Sequence, residues 1–118
     1  MAIGGEAAAQ LWNASSSGQL RMEPDAAREV AQAYLRFAVM CDGWSDAALR
    51  LEKISGFGGL KSSLDLQQGF ADKAMAAKQV LEQMALAARG MADGYLQAAG
   101  ILAEADELGA AAVRAIGN

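Results

Sequence analysis

The amino-acid sequence predicts an all-α protein, a long antiparallel helical hairpin preceded by a short N-terminal helix or arm. Three observations point there. Apolar residues recur in alternating steps of four and three along two long stretches, the single proline stands at the head of the first stretch, and Gly56-Phe57-Gly58-Gly59 separates the two. At 118 residues the chain has the size of one domain. About half of it is apolar (53%), but aromatics make up only 6% and alanine dominates, so the expected core consists of thin layers between closely packed helices.

Residues 1–21 are expected to form an arm. Glu6 to Trp12 is alanine-rich and suits a short helix, whereas Asn13 to Gln19 has the Ser/Gly/Asn composition of a linker. An aromatic at Trp12, just before flexible chain, is placed to anchor a partner or the overhanging part of a longer helix. The hairpin domain, 22–118, opens with helix A over about 24–55. Pro24 is preorganised for a first helical turn, and Asp25 and Glu29 lie where the positive end of the helix dipole favours carboxylates. Its predicted seam runs Val30, Tyr34, Phe37, Cys41, Trp44, Ala48, Leu51. Cys41 on that seam reads as a small buried hydrophobe.

The turn, 56–61, follows from three glycines in four residues, far too much backbone freedom for a helix interior. Helix B is expected over about 62–116, capped by Ser62 or Ser63. Its seam runs Phe70, Ala74, Ala77, Leu81, Met84, Ala88, Met91, Tyr95, Ala98, Leu102, Ala105 and continues through Gly109, Ala112 and Ile116. Columns beside both seams are also apolar, with Val80, Ala87, Ile101 and Leu108 on helix B and Ala33, Met40, Ala47 and Ile54 on helix A. A face this wide implies burial against more than one neighbouring helix, expected as a four-helix bundle with a partner. The lengths do not match, roughly 45 Å for helix A against about 80 Å for helix B. From about Tyr95 onward, helix B needs cover from the arm or a partner, or it breaks at Gly90, Gly94 or Gly100.

The same composition excludes several functions. Histidine is absent and cysteine occurs once, which removes the commonest general base, the commonest metal ligand and any internal disulfide; no cofactor or metal is expected, and the chain reads as a non-enzyme. A net charge of -4 with scattered basic residues argues against nucleic acid. No stretch reaches the ~18 apolar residues of a spanning helix, so no membrane insertion is expected, and the N-terminus lacks the pattern of a general secretory signal. The pairs Asp42/Asp46 and Glu104/Glu107 have no third ligand or base beside them and read as hydrated surface. The glycine cluster lacks both the spacing and the preceding strand of a phosphate loop.

A helix, a glycine turn holding an aromatic, and a second helix together resemble the WXG-type substrates of the type VII (ESX) secretion system, in particular the EspC-like branch. The resemblance spans about 17–116 and rests on Gly56-Phe57-Gly58-Gly59, on Leu66-Gln67-Gln68-Gly69-Phe70, and on Leu102-Ala103-Glu104-Ala105-Asp106. It implies that Phe57, Gly58 and Gly59 stand for the family's Trp-x-Gly turn, phenylalanine replacing tryptophan. It also implies that Leu102-x-x-x-Asp106 stands where the family's Tyr-x-x-x-Asp/Glu export motif lies, without its tyrosine. The implied partner is another helical hairpin, a second copy or a different chain, extending to a larger secreted effector and to the secretion machinery. That partner would carry the export signal, and the route would take the chain from the cytoplasm to the cell surface or medium without a signal peptide. Tyr34, Phe37, Cys41, Trp44, Leu51, Phe70, Leu81, Met84, Met91 and Tyr95 are the expected helix-packing residues. Two other readings stay open: an intracellular chaperone or adaptor for a secreted helical client, and a helical antitoxin or immunity-type protein.

Overall fold

The computed structural model describes residues 4–53 and 58–117, and their regular structure is entirely helical. Four helices follow in order: α1 (Gly5–Ser16), α2 (Pro24–Glu52), α3 (Lys61–Ala98) and, after a 3₁₀ turn at Leu102–Glu104, α4 (Ala105–Gly117). The long pair α2 and α3 forms the antiparallel hairpin. α1 lies along α3 and α4 along α2, so at one end four helices stand side by side and at the other only two. The result is a thin, elongated slab of 61 × 33 × 16 Å. Its radius of gyration, 18.5 Å, exceeds the value of about 13.5 Å for a compact chain of this length.

Each helix end has a local cause. Pro24 occupies the first turn of α2, and the Glu23 carboxylate caps it by accepting the Ala26 N–H at 3.0 Å. Those backbone N–H groups hold the Glu23 carboxyl below its ordinary pKa, Asp25 contributing most and Ala26 next. α3 starts at Lys61, one residue before the expected start, and no side chain caps it. Of the expected turn, Gly58 (φ +91°) and Gly59 are exposed, while Phe57 and Gly56 lie outside the described residues.

Helix B does not run to residue 116. It stops at Ala98, and Gly100, at φ +72°, reverses the chain. The Gly100 N–H donates to the Gln97 carbonyl at 3.0 Å and the Ile101 N–H to the Leu96 carbonyl at 2.9 Å. This is a Schellman closure, and it is completed by apolar packing of Ile101 on the cluster around Leu96. Continuation of the heptad pattern past Ala98 is outweighed by a glycine placed where a left-handed residue ends a helix.

The contact between α2 and α3 is made of small residues. On α2 the buried row is Ala27, Ala31, Leu35, Ala38, Cys41, Ser45 and Ala48; on α3 it includes Ala74, Ala85, Ala88, Ala92 and Leu96. Leu96 and Cys41 are the largest fully buried side chains among the described residues. Along much of α2 this row sits one residue after the expected seam, although Cys41 and Ala48 belong to both. The shift has a steric reason: alanine lets two helix backbones approach closely, so bulky neighbours turn outward to the flanks. Tyr34 and Tyr95 stack at the flank with ring centroids 5.9 Å apart.

The arm folds as α1, longer than the Glu6–Trp12 helix expected. It runs parallel to α3 and rests on two glycines one turn apart. A methyl group at Gly90 would come 3.1 Å from the Ala8 Cβ, and one at Gly94 would come 2.7 Å from Leu11. Leu11 fits because Gly94 has no side chain. We therefore expect Gly94→Ala to push α1 off α3, at a net cost of roughly 1 kcal/mol after the gain in helix propensity. Hydrogen exchange should show faster amides across 5–16 with α2 unchanged; unaltered protection of α1 would disprove the glycine seat.

Candidate helix-binding face

Outward displacement of the bulky side chains gives the slab two unlike faces. On α2, a row reads Ala33, Phe37, Met40, Trp44, Ala47, Leu51, spaced four, three, four, three, four. It points roughly a quarter turn away from the contact with α3. Trp44 is 51% exposed and Leu51 55%. On α3, Leu66, Ala77, Val80, Met84 and Met91 follow the same repeat, exposed toward the hairpin tip and half-buried near α1. Both rows lie on one side, because Tyr34 and Phe37 from α2 and Met84, Ala87 and Met91 from α3 line a single apolar depression of about 250 Å³. Gly4 and Ala7 of α1 close its end.

The opposite side carries ion pairs, with Leu86 exposed among them. Arg89 of α3 pairs there with Asp42 of α2, Lys78 pairs with Glu82, and the Gln68 amide donates to Asp72 at 2.8 Å. These bonds account for Asp42, one of the carboxylates weighed above as a pair with Asp46. Among the described residues, no group of three or more acidic or cysteine side chains is placed to share a metal ion, and no helix is long and apolar enough to cross a membrane. The Cys41 thiol is buried, and burial pushes its pKa up, with the Asp42 charge a lesser cause.

The structure separates the expected packing residues into two groups. Cys41 is wholly inside the hairpin, and Tyr34, Phe37, Leu81 and Met84 pack partly against its core. Met91 and Tyr95 are half-buried, whereas Trp44, Leu51 and Phe70 are exposed. Leu102 opens the 3₁₀ turn and packs on the core beside Leu96, while Asp106 is exposed in the first turn of α4. These two residues therefore straddle a junction instead of sharing a turn of one long helix.

Sequence reasoning did not find the clamp that holds α4. Arg28 on α2 donates from Nε and Nη2 to both Glu104 carboxylate oxygens, at 2.8 and 2.9 Å, and from Nη1 to Asp25 at 2.8 Å. The Arg28 hydrogen bonds hold the Glu104 carboxyl below its ordinary pKa. Near this junction Asp93 behaves oppositely: burial raises its pKa first, and the Asp106 charge adds to the rise. α4 is otherwise held by Leu108 and Ala112, with a gap of about 160 Å³ left between it and Gln32 and Arg36.

The two shifts set opposite pH slopes. Glu104 stabilises the fold above its unfolded pKa, and that support is lost as pH falls through the depressed folded value. Asp93 costs stability when ionised, and protonation as pH falls through its raised value relieves the cost. Glu104→Gln is expected to raise amide exchange in α4 at neutral pH and to reverse the slope, so that moderate acid then tightens α4. Exchange rates across 105–117 that match the parent chain at every pH would overturn the clamp. No protein-family model, no curated protein and no solved structure matches this chain.

Proposed function

We propose that this chain is a type VII secretion-associated helical protein that works by pairing its apolar face with another helical hairpin, as a secreted substrate or as the small co-secreted partner of a larger effector. The observation that carries this reading is the face itself. Two rows in heptad spacing, with Trp44, Leu51, Leu66 and Val80 exposed, flank the core of a chain whose own helix contact is mostly alanine. Surfaces of this kind mark association sites. A second hairpin laid on the face makes a four-helix bundle at a crossing angle near +20°. Recognition is by packing, and the reading assigns the chain no catalytic step and no cofactor.

The resemblance of Gly56-Phe57-Gly58-Gly59 to an aromatic-glycine turn supplies the link to secretion, and the leucine at 102 supplies the condition. Without a tyrosine there, the partner carries the export signal and the pair leaves together, from the cytoplasm to the cell surface or medium. That same leucine favours a second reading, an intracellular chaperone or adaptor that shields a helical client and stays behind. Fractionating cells and medium, with and without an active export ATPase, separates the two. We expect the chain in the medium only when the ATPase and a paired partner are both present. Recovery in the cytoplasm alone under both conditions would sink the substrate reading and leave the chaperone.

A further inference from the structure

The exposed row on α2 has a charged border on one side only. In heptad terms Phe37, Trp44 and Leu51 form one seam column and Ala33, Met40 and Ala47 the other. Residues that follow the second column, Tyr34, Cys41 and Ala48, turn toward α3 and are buried or half-buried. Residues that precede the first column, Arg36, Gly43 and Arg50, stand on the side away from α3 and are exposed. Gly43 has open space about it, since an added Cβ would meet nothing within 4 Å, so the border beside Trp44 is clear between the two arginines.

Neither arginine forms an ion pair with a described residue. On α3 the matching outer column is Gly69, Ala76 and Gln83, which carries no charge, and Lys73 lies in the row itself. The nearest carboxylate on that helix, Asp65, has Lys61 beside it, Nζ to Oδ2 3.8 Å. Glu29 continues the α2 column only toward the four-helix end. The whole chain carries a net charge of -4, yet the border that α2 and α3 give the apolar face is basic.

We infer that the face selects a helical chain of a different sequence, one whose flanking column is acidic, with carboxylates about two heptads (~21 Å) apart to meet Arg36 and Arg50. This rests on the helix-binding reading above and adds the chemistry of the partner. Apolar packing supplies the strength of such a contact, while the opposed charges set its register and reject wrong partners. A second copy is among the chains so rejected when α2 lies on α2. Antiparallel helices oppose like columns, which brings Arg36 of each copy toward Arg50 of the other and sets cation against cation at both ends. Along α3 the small, uncharged column lets the partner approach closely and demands no charge of it.

Two fluorescein-labelled synthetic amphipathic helices, each about four heptads long, provide the test: they share one leucine seam and differ only in carrying glutamate or lysine in the columns beside it. Anisotropy reads the binding of each to the full chain up to ~100 µM, and far-UV circular dichroism confirms that every variant folds. Net charge alone favours the lysine peptide, whereas the border of the face favours the glutamate peptide. We expect the glutamate peptide to bind about tenfold tighter at ~50 mM salt, the order supplied when two exposed pairs change from repulsive to attractive, and the gap to narrow to about threefold at ~300 mM. Arg36→Glu combined with Arg50→Glu should reverse the preference, and Trp44→Asp should weaken both peptides by ~30-fold or more. Equal or tighter binding of the lysine peptide by the parent chain overturns the acidic partner and leaves the helix-binding reading standing, as does a preference that the double arginine variant fails to move. Binding of neither peptide, or of both without regard to Trp44→Asp, overturns the face and both readings with it. A parent chain that sediments as a dimer at these concentrations, weakened by Trp44→Asp, gives the face to a second copy instead.

Discussion

Everything in this molecule follows from the alanine contact between α2 and α3. Alanine brings helices close at little entropic cost, but each buried methyl group yields only about 0.8 kcal/mol, against roughly 1.5–3 for a buried leucine or phenylalanine. The interior therefore holds the hairpin together with a small margin. Its large apolar side chains, Trp44, Leu51, Val80 and Phe70 among them, are left on the flanks. A chain of this size with few large groups inside gains its stability by lateral extension, and the extension has to come from somewhere.

At one end the chain supplies it. The Met22 N–H donates to the Ala98 carbonyl at 3.1 Å, the Gly100 closure ends α3 just beyond, and Arg28 grips Glu104 on the far side. Three separate segments thus converge where α3 stops, and α1 and α4 are fixed there as outriggers. Toward the turn there is no such help, and beyond Ala74 on α3 and Ala48 on α2 no hydrophobic residue among those described is buried. Local opening should begin at the two-helix end and die out toward the four-helix end. The exposed apolar rows lie mostly in the half that has least support of its own.

Much of this arrangement was legible in the residues. Pro24 marked the start of α2 and the glycine cluster the break between the two long helices; the wide apolar columns pointed to a partner, whereas the second neighbours found are the chain's own, α4 beside Ala31 and Leu35 on α2 and α1 on α3. The rotational setting was not legible. The heptad rule weighs every apolar residue alike, so Tyr34, Phe37 and Trp44 drew the seam toward themselves, whereas close packing chose the smaller residues beside them. The break at Gly100 carried a readable signature, a glycine followed by Ile101 and preceded four residues earlier by Leu96, but the heptad pattern runs on through it and hides it. The Arg28–Glu104 clamp joins residues 76 apart, and no local pattern encodes such a pair.

That break decides what remains to be covered. Had helix B run straight to residue 116, its last turns, about five, would have projected beyond α2 with their apolar columns bare. Folding back at Gly100 instead lays Leu108 and Ala112 against α2 beside Ala31 and Leu35, while α1 takes the outer edge of α3 through Gly90 and Gly94. Asp42 with Arg89 and Lys78 with Glu82 pair off on the remaining side. Among the described residues, the apolar rows of α2 and α3 then make the broadest face left over, although Leu86 and, on α4, Val113 and Ile116 are also exposed. That face carries its residues in the spacing of a helix seam, a pattern that suits another helix better than a lipid surface or an extended peptide, and the proposed pairing rests on that spacing.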